Sequence, residues 1–179
     1  RENPWEGRVL GVEVEVNGKK EYGRAAKGVV ATAGGYAYNA EMCSYFDPRL
    51  TKLSTTNQPG ATGDALMAAQ RIGATDIQMD WIQLGPWTSP DEKGFGVAPK
   101  IVEAVVGYGF MVDPETGKRF VNETGNRKVR SDAIVATGHP AVLAVSVDNV
   151  GHVPAEALKT GLEKGVVKTF DSAEALADF

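Results

Sequence analysis

A single cysteine, Cys43, stands in 179 residues, so no internal disulfide can form and no CxxC pair can hold a metal. Histidine is nearly as scarce. The chain has two, His139 and His152, thirteen positions apart, a spacing that suits neither a helical ligand pair nor a finger. No metal centre is expected, and both histidines read as structural or exposed. No run of roughly 18 apolar residues occurs that would make a bilayer-crossing helix. Positive charge forms no block and the net charge is −4, which argues against a nucleic-acid partner. Internal repeats and low-complexity tracts are absent. So is a signal-peptide pattern at Arg1-Glu2-Asn3-Pro4, where the chain starts as if cut from something longer.

What remains is ordinary folded-domain composition, 42% hydrophobic and 23% charged with 21 glycines, enough for one domain or two small ones. Residues 8–16 alternate apolar and polar, Asn17-Gly18 supplies a turn, and 19–26 return, the strongest short-range signal for a hairpin. The run 28–32 (GVVAT) reads as a buried strand entering a tight turn at Ala33-Gly34-Gly35. A short helix over 39–46 has Asn39 as its N-cap. Another over 62–73 is opened by Thr62 or Gly63 and closed by Gly73. Residues 76–82 alternate as a strand, and 83–100, rich in Gly, Pro and charge, read as a long loop of functional type. A second hairpin (108–112, turn 113–118, 119–123), a helix over 130–137, a strand over 141–148 and short helices near 155–160 and 172–178 complete the chain.

Four stretches carry candidate chemistry: GVVATAGGY (28–36), TTNQPGATGDA (55–65), VEAVVGYGFMVDPETGKRFVNE (102–123) and NRKVRSD (126–132). Singly each has two readings. Gly34-Gly35 after a strand is either a plain turn or backbone that approaches a nucleotide. Gly60–Gly63 is either a loop with an N-cap or a set of backbone N–H groups beside an electron-rich group. GKRF with its Asn-Glu is either a hairpin with a solvated face or part of a site.

Together and in this order, they resemble the flavoprotein subunit of fumarate reductases and succinate dehydrogenases, including the soluble flavocytochrome-type enzymes and urocanate reductases. That family has an A-T-[GA]-G-G motif, then T-T-N-Q-P-G-A-T-G-D-G before a helix, then a capping domain with E-A-V-R-G and G-K-R-F-V-N-E. The likeness covers nearly all of residues 8–135, and TTNQPGATGD is its most specific part. It implies FAD as cofactor, Ala33, Gly34, Gly35, Thr62, Gly63 and Asp64 on the cofactor side, and Asn57, Gln58, Gly60 and Trp87 on the substrate side. Arg127 falls at the position of the family's proton-donating arginine, and Glu103, 24 residues earlier, at that of the acid that returns the proton.

Two departures stand out. The family completes its relay with an arginine three positions after the glutamate, where this chain has Val106, and it binds a substrate carboxylate with the His of I-Q-x-H-P-T, where this chain has Gly85. Trp87 is then a substrate wall or a loop anchor, and Lys93, Phe95 and Lys100 join it as groups of the same loop. Tyr36 and Tyr38 could pack toward the adenine side.

The fold implied is α/β plus α+β: part of an FAD-binding lobe over 1–83, followed by a fumarate-reductase-type capping domain over 84–179, truncated at its end. The family's GxGxxG phosphate loop has no counterpart here, so the piece alone is expected to be colourless and inactive. The function implied for the parent is FAD-dependent reduction of an activated C=C bond in a small unsaturated carboxylate, the electron donor being open. Two alternatives stay beside it: a 3-ketosteroid-type flavin dehydrogenase, kept by Gly85 and Trp87, and a non-catalytic module on the same scaffold, kept by Val106.

Overall fold

Asn17 and Gly18 both adopt positive φ, 52° and 74°, as a type I′ turn demands, and they join β1 (Gly11–Val16) to β2 (Lys19–Arg24) as the sequence predicts. The register pairs Val16 with Lys19 and Val12 with Gly23, so Val12, Val14 and Val16 share one exposed face. On the other, Glu13 takes an ion pair from Lys20 at 2.7 Å. The computed structural model describes residues 6–92 and 96–179. The chain divides into two units: the segment up to Pro48 with Gln58–Asp80, and Arg49–Asn57 with Trp81–Phe179. Lys93, Phe95 and the Arg1–Pro4 start lie outside the described residues.

In the first unit, α1 (Ala40–Phe46) begins where Asn39 accepts the Met42 N–H at 3.0 Å. Helix α2 (Asp64–Gln70) follows Gly63. It ends in a Schellman pair: Gly73 N–H donates to Gln70 O at 2.9 Å and Ala74 N–H to Ala69 O at 3.1 Å, with Gly73 at φ 95°. Both ends match the sequence reading. Two expected strands do not form. Residues 28–32 are exposed, Val30 at 84%, because a ladder needs a neighbour and none pairs with them among the described residues. Residues 76–82 are also irregular. Gln78 sits at φ 56°, which extended backbone excludes, and Ile77 and Trp81 face outward.

The second unit holds a three-stranded antiparallel sheet, order β4-β3-β5, from β3 (Gly109–Asp113), β4 (Lys118–Arg119) and β5 (Val142–Val145). The loop expected through residue 100 stops earlier. Helix α3 (Ala98–Val105) starts with Pro99 in its first turn, and the Glu92 carboxylate accepts the Val97 and Ala98 N–H groups at 2.8 and 2.9 Å. Ile101 and Val105, one turn apart, are buried with Val153 and Ala157 of α5 (Ala155–Glu163) and its approach, and Leu143 and Val145 pack around them. Helix α4 (Arg127–Thr137) begins three residues before the expected start, since Asn126 caps it by accepting the Val129 N–H at 3.0 Å. Helix α6 (Ala173–Ala177) starts at the Ser172 cap. Among the described residues the strand pairings are all antiparallel, and no helix is long and apolar enough to cross a membrane.

Candidate active site

The two motif segments of the first unit are bonded to each other. Gly63 N–H donates to Gly35 O at 3.1 Å, Tyr38 N–H to Ala61 O at 2.8 Å, and the Asn39 amide to Thr62 O at 3.0 Å. The turn thus made brings Ala33, Gly34 and Gly35 beside Thr62, Gly63 and Asp64. Its glycines serve two different ends. A Cβ at Gly34 or Gly35 would meet nothing within 4 Å, so the outer side of that backbone is open. Gly63, at φ 82°, is closed in: a Cβ there would lie 2.9 Å from Tyr36 Cβ and 3.2 Å from Met42 Sδ. Its lack of a side chain makes room for Tyr36 and Met42.

Tyr36 also donates its hydroxyl to Met79 O and packs on Phe46, 5.8 Å between ring centroids. Burial raises the Cys43 thiol above its ordinary value, consistent with a small packed residue. Gln58 and Gly60 lie on the exposed approach to this turn, where the Gln58 amide oxygen accepts the Gly60 N–H at 2.6 Å. Asn57 bonds the Thr55 hydroxyl, its N–H at 3.1 Å.

In the second unit, Arg127 is the first residue of α4, held there by the Asn126 cap. Its Nη2 stands 3.7 Å from Oε1 of Glu103 on α3, and its Nη1 donates to Gln83 Oε1 at 3.4 Å. The two residues that the resemblance singled out for proton transfer are therefore adjacent. Both are substantially exposed, Glu103 at 69% of its side chain, so the pair contributes little to stability. Gln83, which the sequence reading left without a role, joins them.

Two arginines approach the Trp87 ring: the guanidinium carbon of Arg127 is 5.9 Å from its centroid and that of Arg130 is 4.5 Å. A Cβ at Gly85 would fall 3.3 Å from Trp87 Cδ1 and 3.7 Å from its Nε1. The indole edge thus takes the space next to the Gly85 backbone. Arg130 is 8% exposed, and burial, with the charge of Arg127 nearby, pulls its guanidinium below the usual value. Nothing in the sequence marked Arg130, because its stacking on Trp87 is a tertiary contact.

Glu123 is the third residue to which the sequence reading gave no role of its own, its stretch having been read as either a hairpin with a solvated face or part of a site. It is 2% exposed and accepts the Met111 N–H at 2.5 Å, with Arg119 donating from Nε at 3.0 and 3.1 Å and from Nη2 at 2.5 Å. Burial pushes its carboxyl up, but these donors outweigh that and hold it below the usual carboxylate range. The residue fastens β3 to the segment that leads into Arg127. His139 takes a structural place, its Nε2 3.3 Å from Asp113, and His152 stacks on Tyr108 at 4.5 Å.

Comparison with known proteins places these features. The model of the FAD binding domain family matches residues 2–174. The acrylate reductase flavoprotein subunit of Shewanella woodyi is 38% identical over 161 residues, which are 86% of this chain and 31% of that protein. The fumarate reductase (cytochrome) of Shewanella frigidimarina is 41% identical over 138 residues, 76% of this chain and 23% of that one. Among solved structures, the open conformation of a flavocytochrome c3 fumarate reductase superposes with a TM-score of 0.67 at 29% identity, covering 96% of this chain and 29% of its own. A 3-ketosteroid dehydrogenase from Rhodococcus jostii RHA1 shares the fold, with a TM-score of 0.50 at 24% identity over 88% of this chain and 36% of its own. The chain spans less than a third of the length of the two reductases that it matches.

Proposed function

This chain belongs to the FAD-binding domain family of flavoproteins, and on that footing we propose that it is part of an oxidoreductase that reduces the C=C bond of an α,β-unsaturated carboxylate, with Arg127 as proton donor. The observation that carries the reading is the grouping of Arg127 with Glu103 and Gln83. The names of the relatives, acrylate and fumarate reductases, support the substrate class.

The cofactor fits the first unit at the open Gly34-Gly35 backbone, where an approaching group meets no side chain. Ala33, Gly34, Gly35, Thr62 and Asp64 would hold it, with Gly63 shaping the turn. FAD, when bound, supplies the two-electron reducing equivalent that reaches one carbon of the double bond. The other carbon then needs a proton, which Arg127 would give. A deprotonated guanidine is a strong base and must be refilled. Glu103, 3.7 Å away and so beyond direct hydrogen-bond reach, would do that through one bridging water, and its exposure gives it access to bulk water for its own proton. Gln83 holds the guanidinium in place while leaving Nη2 to Glu103. Residues 84–179, with Arg127 and Glu103, would form the capping part of the parent protein.

The ketosteroid reading draws on a likeness of fold alone, and a non-catalytic module gives no reason to keep Arg127 and Glu103 together. The test is anaerobic oxidation of reduced viologen by the flavin-loaded full-length protein in the presence of acrylate. Turnover is expected, and a flavin-replete protein that reduces no unsaturated carboxylate would end this reading.

A further inference from the structure

We propose that Arg130 and the indole N–H of Trp87 form a carboxylate-binding subsite beside Arg127. The inference rests on the reductase reading for the identity of the ligand, but the subsite is drawn from this chain's own geometry. Arg130 is more than nine-tenths buried, its Nε has no hydrogen-bond partner, and among the described residues no acceptor meets its side chain. A buried guanidinium without an anion is unfavourable, and its cation–π contact with an indole offsets only part of that. Burial first, and then the like charge of Arg127 one helical turn away, pull the guanidinium of Arg130 below its usual value. Glu103, the carboxylate on Arg127, is itself mostly in water.

Trp87 supplies the second sign. Its Nε1 is buried with no acceptor, although a buried indole N–H ordinarily finds one. The two unsatisfied donors thus belong to side chains in direct contact, 4.5 Å from guanidinium carbon to ring centroid, with Arg127 5.9 Å from the same ring. An anion with two oxygens, seated at the edge of this stack, satisfies both donors and neutralises the pair of arginines. A planar carboxylate suits that arrangement. Gly85 contributes by having no side chain, since a Cβ there would press on the indole edge at 3.3 Å.

The experiment is calorimetric binding of propionate, the saturated and unreactive counterpart of acrylate, to the flavin-loaded full-length protein and to Arg130→Gln and Trp87→Phe, with propionamide as the uncharged control. Arg130→Gln should weaken propionate about tenfold or more, and Trp87→Phe, which keeps the aromatic face and drops the N–H, roughly three- to tenfold. Propionamide should bind all three alike. Unchanged propionate affinity in both variants, equal losses for propionamide, or no propionate binding by the parent would each overturn the subsite. If Arg130→Gln fails to retain flavin, Trp87→Phe decides. A parent protein that binds propionate through these two residues yet reduces no unsaturated carboxylate would retain the subsite and lose the reductase reading.

Discussion

Replacing Glu123 by alanine tests how Arg127 is held. The carboxylate is 2% exposed and receives the Met111 amide together with Arg119. Without it the Met111 N–H is left buried with no acceptor, a cost of about 1–3 kcal/mol. Arg119 is 61% exposed and returns to water, so the loss of that ion pair adds about 1 kcal/mol at most. Removing the buried methylenes adds about 1 kcal/mol more, and the local loss is about 2–5 kcal/mol. Hydrogen exchange reads this directly. The protection of the β3 amides at Met111 should fall by roughly 30- to 4000-fold in the full-length protein, at about 1.4 kcal/mol per factor of ten. The pH dependence has a fixed sign. Because the folded pKa of Glu123 lies below its ordinary value of 4.5, its contribution is complete above that value and disappears as pH falls through the depressed one. Protection that is unchanged in Glu123→Ala, or that rises on acidification in the parent protein, would refute the reasoning.

Gly63→Ala should destabilise the first unit by about 1–3 kcal/mol, since its φ of 82° is strained for alanine and the new Cβ would press on Tyr36 at 2.9 Å. Chemical denaturation followed by flavin release would show the earlier transition, and an unaltered midpoint would contradict it. Fumarate should be a poorer substrate than a monocarboxylate such as acrylate or an aryl acrylate. A second carboxylate finds no donor side chain at Gly85, and stripping water from an unpaired carboxylate costs several kcal/mol. Comparison of kcat/KM across the three decides it, and fumarate equal to or better than the monocarboxylates would mean that Gly85 had been given too much weight.

Local chemistry was the legible part of the fold. Asn17-Gly18, Asn39, Gly73 and Ser172 act within a few residues of themselves, and each sets the turn or helix end that its type requires. The strands read over 28–32 and 76–82 failed because alternation or a β-branched run reports a preference, while a strand exists only with a partner to bond. Helix α3 was hidden by the Gly- and Pro-rich stretch before it, and its start depends on Glu92 reaching across five and six residues to two amides. In the site, Arg127 and Glu103 came forward through family resemblance, since 24 residues of separation carry no intrinsic signal of contact. Gln83, Glu123 and Arg130 stayed hidden because their roles arise from what the fold sets against them: an arginine, a strand amide and an indole ring.

The central claim is that Arg127 supplies the proton. Steady-state reduction of acrylate by viologen, measured for Arg127→Ala in the flavin-loaded full-length protein, tests it most directly. With the flavin spectrum near that of the parent, kcat at saturating acrylate should fall by a factor of about 10² to 10⁴. Near-normal turnover in Arg127→Ala would contradict the account and assign the proton to another group.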